Sequence, residues 1–211
     1  GEPLPADAAL VVLPGTKATI ADLAFFRAQG WDIDLAAHLR RGGYVLGLCG
    51  GYQMLGTRIE DPDGVEGPPG GVAGLGHLAV ETVLGGDKRL VAVGGASVVD
   101  GVAFSGYEIH VGRTQRDPAL APLLHLADGT PDGALDATGR IAGCYVHGLL
   151  DGAEQRAAWL ARLGTSSDGV EQTARVDAAL DELADELRRV VDTERLLAIA
   201  RGRRACVGRP A

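Results

Sequence analysis

The sequence predicts an α/β fold, a parallel sheet with flanking helices, and three observations carry that expectation. Short apolar runs alternate with helix-period segments over residues 10 to 55. Glycine or Pro-Gly punctuates the joints between them, and the apolar run at 44 to 48 ends in a cysteine set among glycines. In order, Leu10 to Leu13 read as a buried strand ended by Pro14-Gly15. Thr19 can cap a helix whose apolar face uses Ile20, Leu23, Ala24 and Phe26, with Gly30 as its stop. A second helix over 32 to 41 presents Ile33, Leu35, Ala36 and Leu39, and Gly42-Gly43 closes it before the strand at 44 to 48. Tyr52 to Leu55 begin a short helix after Cys49.

Beyond this point the pattern changes. Residues 61 to 76, dense in Gly and Pro, read as a long ordered surface loop. Residues 77 to 147 offer short β-rich runs near 78 to 84, 89 to 93, 102 to 111, 122 to 126 and 140 to 146, expected as antiparallel additions to the sheet. Helical spacing returns at 153 to 163 and at 175 to 200, where Val176, Leu180, Leu183, Leu187 and Val190 recur at intervals of three and four, and Asp192 or Thr193 starts a last short helix. Residues 201 to 211 read as a flexible basic tail.

Composition narrows the partners. With 20 Lys and Arg against 28 Asp and Glu, the net charge of −8 leaves no surplus of cations for a nucleic-acid backbone or an anionic membrane. Glycine, at 32 of 211 residues, is about twice its usual share of roughly 7%, so the backbone is asked to turn tightly. The longest apolar run, Ala8 to Leu13, falls far short of the ~20 residues that span a bilayer, and no signal peptide is apparent, which predicts a soluble, cytoplasmic protein. Cys49, Cys144 and Cys206 form neither an even disulfide set nor a metal-binding pair, so no metal site is expected. The chain begins with Gly1 and its one methionine is Met54, so it reads as a processed or excised piece.

Gly47-Leu48-Cys49-Gly50-Gly51 is a G-x-C-x-G sequence at a strand-to-helix junction, the cysteine counterpart of a nucleophile elbow. Such a turn is expected to expose the sulfur, lower its pKa at a helix N-terminus, and aim the Gly50 N–H where an oxyanion forms. A thiol nucleophile needs a base, and His147, ending the apolar run Cys144-Tyr145-Val146, is the candidate. The nucleophile and that histidine would then share the edge of the sheet where open α/β proteins bind ligands. His38 and His125 read as structural, and His77 carries no motif. The Pro14-Gly15-Thr16 turn offers free N–H groups for a second oxyanion donor. In the β-like run at 107 to 114, Glu108 and His110 share one face, either solvent or a pocket wall.

Five motifs in order, L-P-G-T-K-A-T-I-A-D-L, G-L-C-G-G-Y-Q-M-L-G, D-P-D-G-V-E-G, Y-E-I-H-V-G-R-T and C-Y-V-H-G-L, resemble the glutamine amidotransferase domain of the cobyric acid synthase family. The resemblance covers most of the chain and implies a class I, triad-type amidotransferase with a flavodoxin-like sheet. It implies Cys49 as nucleophile and His147 as proton shuttle, with Gly15 or Thr16 and Gly50 lining an oxyanion hole. Glutamine would be contacted by Gln53, and by Glu108 and His110. Where many class I enzymes carry an orienting glutamate two residues past the histidine, this chain has Leu149, and Glu108 and Asp151 are the nearest substitutes.

The family joins this domain to an upstream ATP-using domain that activates corrinoid carboxylates for amidation by the released ammonia. No G-x-x-x-x-G-K-[ST] phosphate loop occurs in the sequence, so no cofactor is expected in this chain, and ATP and Mg²⁺ belong to the absent synthetase domain. Residues 1 to 200 would form the amidotransferase domain without its first strands, leaving strand edges and apolar surface exposed, which predicts poor stability or association of the isolated chain. Three other readings fit fewer residues. They are an amidotransferase subunit working with a Mur-ligase-like partner on peptidoglycan precursors, a catalytically incomplete scaffold, and an α/β-hydrolase using cysteine.

Overall fold

Two short parallel strands frame the front of the molecule, β1 (Leu10–Leu13) and β2 (Tyr44–Leu48), paired Leu10 to Tyr44 through Leu13 to Gly47. The computed structural model describes residues 2–86 and 88–202. Between the strands run α1 (Thr19–Ala28) and α2 (Trp31–Arg40), which bury Leu23, Phe26 and Leu35. Gly30 separates them at φ 78°, a left-handed conformation that costs glycine little. A six-residue helix, α3 (Gly50–Leu55), begins directly after Cys49 and is buried along its whole length.

The chain then builds β3 (Arg58–Asp61), β4 (Gly70–Ala73), β5 (Val80–Val83), β6 (Arg89–Ser97), β7 (Ala103–His110) and β8 (Arg113–Arg116). It continues with β9 (Leu124–Leu126), β10 (Pro131–Asp132), β11 (Ala134–Leu135), β12 (Ile141–Cys144) and β13 (Val146–His147), and closes this part with α4 (Ala153–Arg162). These strands do not extend one sheet as antiparallel additions. Only β12, parallel to β2, and β11, antiparallel to β12, join the first sheet, in the order β1-β2-β12-β11. The others form two further sheets, β4-β3-β5-β8 and β10-β9-β6-β7-β13. The expected loop at 61 to 76 also contains a strand: Gly70–Ala73 pairs antiparallel with Arg58–Asp61, because a backbone ladder needs no side chains.

The first sheet is covered on both faces. Val45 packs with Leu35 and Leu55 on one side, while Leu46 packs with Leu123, Val146 and Trp159 on the other. Each such fully buried aliphatic side chain contributes about 1.5–3 kcal/mol. β1 stands at the edge of this sheet, with no strand on its other side among the described residues, and Val12 is 40% exposed there. His38 is structural as expected, buried with Nε2 2.9 Å from the Tyr44 carbonyl. His125 takes its place in β9 and its side chain faces outward.

Between β12 and β13 the chain leaves one sheet for another, and Tyr145 makes the crossing. Its N–H is caught by the Asp132 carboxylate at 3.0 Å. Burial pushes the Asp132 carboxyl up to about 6, against the weaker downward pull of the Tyr145 N–H. A carboxyl raised in the folded state stabilises most below its ordinary value near 3.8, and that contribution is lost as pH rises through about 6. At about 1.4 kcal/mol per pH unit the loss approaches 3 kcal/mol. Asp132→Asn removes this titration while keeping an acceptor for Tyr145. Urea midpoints should therefore move in favour of the variant, relative to the parent, between pH 4 and pH 7, and a constant difference would show that Asp132 does not titrate there.

Among the described residues, those from Val170 to Gly202 belong to a second compact unit. It contains α5 (Gln172–Val190) and α6 (Thr193–Ala200), and Asp192 caps α6 by accepting from the Arg195 N–H at 2.9 Å. The apolar positions foreseen on α5, Val176, Leu180, Leu183, Leu187 and Val190, do lie on a helix, and all are exposed. Of the tail foreseen at 201 to 211, residues 203 to 211 lie outside the described residues.

Candidate active site

Cys49 sits at the tip of a strained elbow. At φ 52° and ψ −112° it is the one non-glycine residue with positive φ among the described residues, a conformation that costs on the order of 1–3 kcal/mol. Hydrogen bonds over-determine it: Cys49 N–H donates to the Cys144 carbonyl at 2.9 Å, and Gly51 N–H to the Pro14 carbonyl at 3.1 Å. The elbow is thereby tied to the ends of β12 and β1. Glycine at 51 is a steric requirement, because a Cβ there would overlap the Leu13 carbonyl oxygen.

The sulfur is less exposed than the sequence suggested. Cys49 is buried, and its Sγ donates to the Ile109 carbonyl at 3.5 Å. Burial pushes the thiol up, and the Gly50 N–H pulls it down by a smaller amount. The expected lowering does not occur, since desolvation of a thiolate outweighs one N–H donor. The resting state is therefore the thiol.

His147 approaches from the opposite wall. Its ring stacks on Tyr107, directly across the β7–β13 ladder, with centroids 5.2 Å apart and planes at 11°. Nε2 is buried without a hydrogen-bond partner among the described residues. Gly15 lies between the two groups: a Cβ on it would stand 3.1 Å from His147 Cε1 and 3.5 Å from Cys49 Cβ. Cys49 and His147 are not hydrogen-bonded to one another, yet both line a cavity of about 540 Å³. An imidazole nitrogen without a partner, lining the same cavity as a thiol, can accept a proton from it where a substrate bridges the two.

The oxyanion candidates gather at the same point. A Cβ at Gly50 would lie 3.1 Å from Thr16 N, which puts the Pro14-Gly15-Thr16 turn against the start of α3. Gly15 and Thr16 line the cavity. Thr16 Oγ1 accepts from Ala18 N–H at 3.1 Å and donates to Asp22, which fixes the turn.

The other foreseen residues divide. Gln53 lines the cavity, but its amide is engaged in the wall: Oε1 accepts from Thr19 Oγ1 at 3.0 Å, and Nε2 donates to Tyr145 Oη at 3.1 Å and to the Val111 carbonyl at 3.4 Å. The network continues through Tyr145 Oη and Thr114 to Thr82. His110 also lines the cavity and stacks on Tyr145 at 3.8 Å, with Nδ1 buried and unpartnered among the described residues. Burial pushes its pKa down and the neighbouring Glu108 pulls it up. Glu108 itself is buried and ion-paired with Arg89. It stands opposite Val146, so strand alternation turns it to the face away from His147. Asp151 lies beside Gly148 and makes no hydrogen bond to the imidazole among the described residues. The structure therefore places neither Glu108 nor Asp151 as an orienting acid, and the aromatic face of Tyr107 holds the ring instead.

Sequence reasoning missed Tyr107, the Ile109 carbonyl, and three charged residues of the cavity wall, Lys17, Glu66 and Lys88. Tyr107 was within reach, because it opens the motif that supplied Glu108 and His110 at the alternate positions.

Comparison with known proteins shows the family. Residues 1–155 match the CobB/CobQ-like glutamine amidotransferase domain. A cobyric acid synthase of Methylobacterium nodulans is 62% identical over 202 residues, covering 96% of this chain and 41% of that protein. One from a Bradyrhizobium species is 58% identical over 205 residues, with 97% and 42% covered. The chain thus spans about two fifths of the length of these relatives. Among solved structures, a glutamine amidotransferase shares the fold at TM-score 0.51 and 16% identity, covering 74% of this chain and 78% of that one. PurLQS from Thermotoga maritima does so at 0.51 and 17%, with 78% and 76% covered. On these matches, this chain belongs to the CobB/CobQ-like glutamine amidotransferase domains.

Proposed function

We propose that this chain hydrolyses glutamine at Cys49 and supplies the ammonia for amidation of corrinoid carboxylates in a longer, cobyric acid synthase-type protein. The observation that carries the reading is the positive-φ elbow at Cys49 with the unpartnered Nε2 of His147 across the same cavity. Glutamine enters with its side-chain amide carbon against Sγ. The thiol proton passes to His147 Nε2 as the C–S bond forms, and the amide oxygen takes up charge beside the N–H groups of Gly50 and Thr16. Collapse of that adduct breaks the C–N bond; the proton held on His147 goes to the leaving nitrogen, and ammonia departs. Water then attacks the thioester, giving its proton to His147, and glutamate is released with the thiol restored.

Gln53 acts here by fixing the wall, since its amide is bonded to Thr19 and Tyr145, and His110 presents an imidazole face to the substrate. The corrinoid, and the ATP and Mg²⁺ that activate its carboxylates, are assigned to the part of the relatives beyond this chain. A cytoplasmic location suits that role, and among the described residues no helix is long and apolar enough to cross a membrane. The test is mass spectrometry after treatment with a diazo-ketone glutamine analogue, with Cys49→Ser as control. A single adduct on Cys49 is expected. Absence of labelling, with or without the rest of the longer protein, removes the glutaminase reading in favour of a scaffold.

A further inference from the structure

Glutamine carries an α-ammonium and an α-carboxylate besides its amide, and a cavity that takes it must answer both charges. The residues foreseen from sequence leave them unanswered. Gln53 has its amide bonded within the wall, and Glu108 is paired with Arg89 outside the cavity lining. Apart from the two imidazoles and the thiol, the described ionisable groups lining the cavity are Lys17, Glu66 and Lys88.

Glu66 is held in place by its own loop. Asp61, 1% exposed, accepts the Val65 N–H at 2.7 Å through Oδ1 and the Glu66 N–H at 2.8 Å through Oδ2, closing the D-P-D-G-V-E-G turn on itself. The Glu66 side chain then crosses to α1, where Oε2 accepts the Ile20 N–H at 2.9 Å. The backbone and one carboxylate oxygen are thus fixed, and the other oxygen has no protein partner among the described residues. A preorganised carboxylate with a spare acceptor suits an ammonium group, and charge-assisted bonds of this kind are about twice as strong as neutral ones. Lys17 and Lys88 are exposed, with stems long enough to follow a carboxylate at the mouth of the cavity.

Resting on the glutaminase reading, we infer that Glu66 binds the α-ammonium of glutamine and that Lys17 and Lys88 bind its α-carboxylate. The D-P-D-G-V-E-G loop is then the element that selects a free amino acid over other primary amides. Asp61 is a positioning residue in this arrangement, and Glu66 touches the substrate.

The experiment compares hydrolysis of three amides by the intact protein: L-glutamine, glutaramate, which lacks the α-ammonium, and 4-aminobutanamide, which lacks the α-carboxylate. Glu66→Gln keeps an oxygen for the Ile20 N–H and loses the charge. The ratio of kcat/KM for L-glutamine over glutaramate should fall about 10- to 100-fold, the weight of one charge-assisted bond, through KM more than kcat. Lys17→Ala with Lys88→Ala should lower the ratio of L-glutamine over 4-aminobutanamide instead. Unchanged ratios, or equal losses on every amide, would overturn the assignment while leaving the glutaminase reading intact. A parent protein that hydrolyses none of the three overturns both. Should Glu66→Gln fail to fold, protection of Cys49 in the parent protein decides: glutaramate shielding it from the diazo-ketone as well as L-glutamine does would show that no group reads the ammonium.

Discussion

Cys49→Ala is expected to lower glutamine hydrolysis by about 10⁴-fold or more, because the variant has no atom with which to form the thioester. In the longer protein, amidation driven by free ammonia should persist, since only the nitrogen source is lost. Alanine is the informative choice at this position. It keeps a Cβ at φ 52°, so the strain of the elbow remains and the change in stability comes from the lost Sγ, its packing in the core and its contact to the Ile109 carbonyl. Cys49→Gly should be equally inactive yet more stable, by about 1 kcal/mol, as glycine accepts positive φ freely. Paired measurements of glutaminase rate and thermal midpoint check both. A glycine variant less stable than the alanine variant would mean that the elbow is held without strain, and equal loss of glutamine-dependent and ammonia-dependent activity would sink the nucleophile assignment.

What could be read from the sequence was local. The strand at 44 to 48, the glycines around Cys49 and the helix after it each announce themselves within a few residues, because a tight turn leaves a steric imprint at the turn itself. His147 was legible for the same reason, as the polar end of an apolar run. The partition of strands among three sheets was not, because a ladder is made with residues distant in sequence, and nothing in Val80–Val83 says that its neighbours are β3 and β8 rather than β12. Strand β4 escaped because Gly70 and Gly71 pair through the backbone and carry no pattern of burial. The orienting acid was sought by spacing near Leu149, while the structure supports the imidazole with an aromatic ring from another strand. Glu66 was visible only as a letter in a motif. Its function depends on Asp61 folding the loop back toward α1, a contact across 46 residues of chain.

His147→Asn should reveal how much of the chemistry depends on a base, and it should do so through the pH profile more than the rate at one pH. Burial holds the Cys49 thiol above its ordinary value, so at neutral pH almost none of it ionises unaided. In the proposed mechanism the parent protein escapes this by passing the proton to His147 as the C–S bond forms. With asparagine in its place the rate near pH 7 should fall about 10²- to 10⁴-fold, the usual weight of a positioned general base. The remaining rate should then depend on the thiolate fraction. That fraction grows as pH rises toward the thiol's own raised pKa, so the variant should gain roughly tenfold per pH unit between 7 and 9, the slope of a single ionisation. Alkylation of Cys49 by iodoacetamide, which needs the thiolate but no substrate pocket, should show the same slope. A variant whose glutaminase rate stays flat over that range, while its alkylation rate climbs, would mean that the step lost with His147 is protonation of the leaving nitrogen and not activation of the thiol.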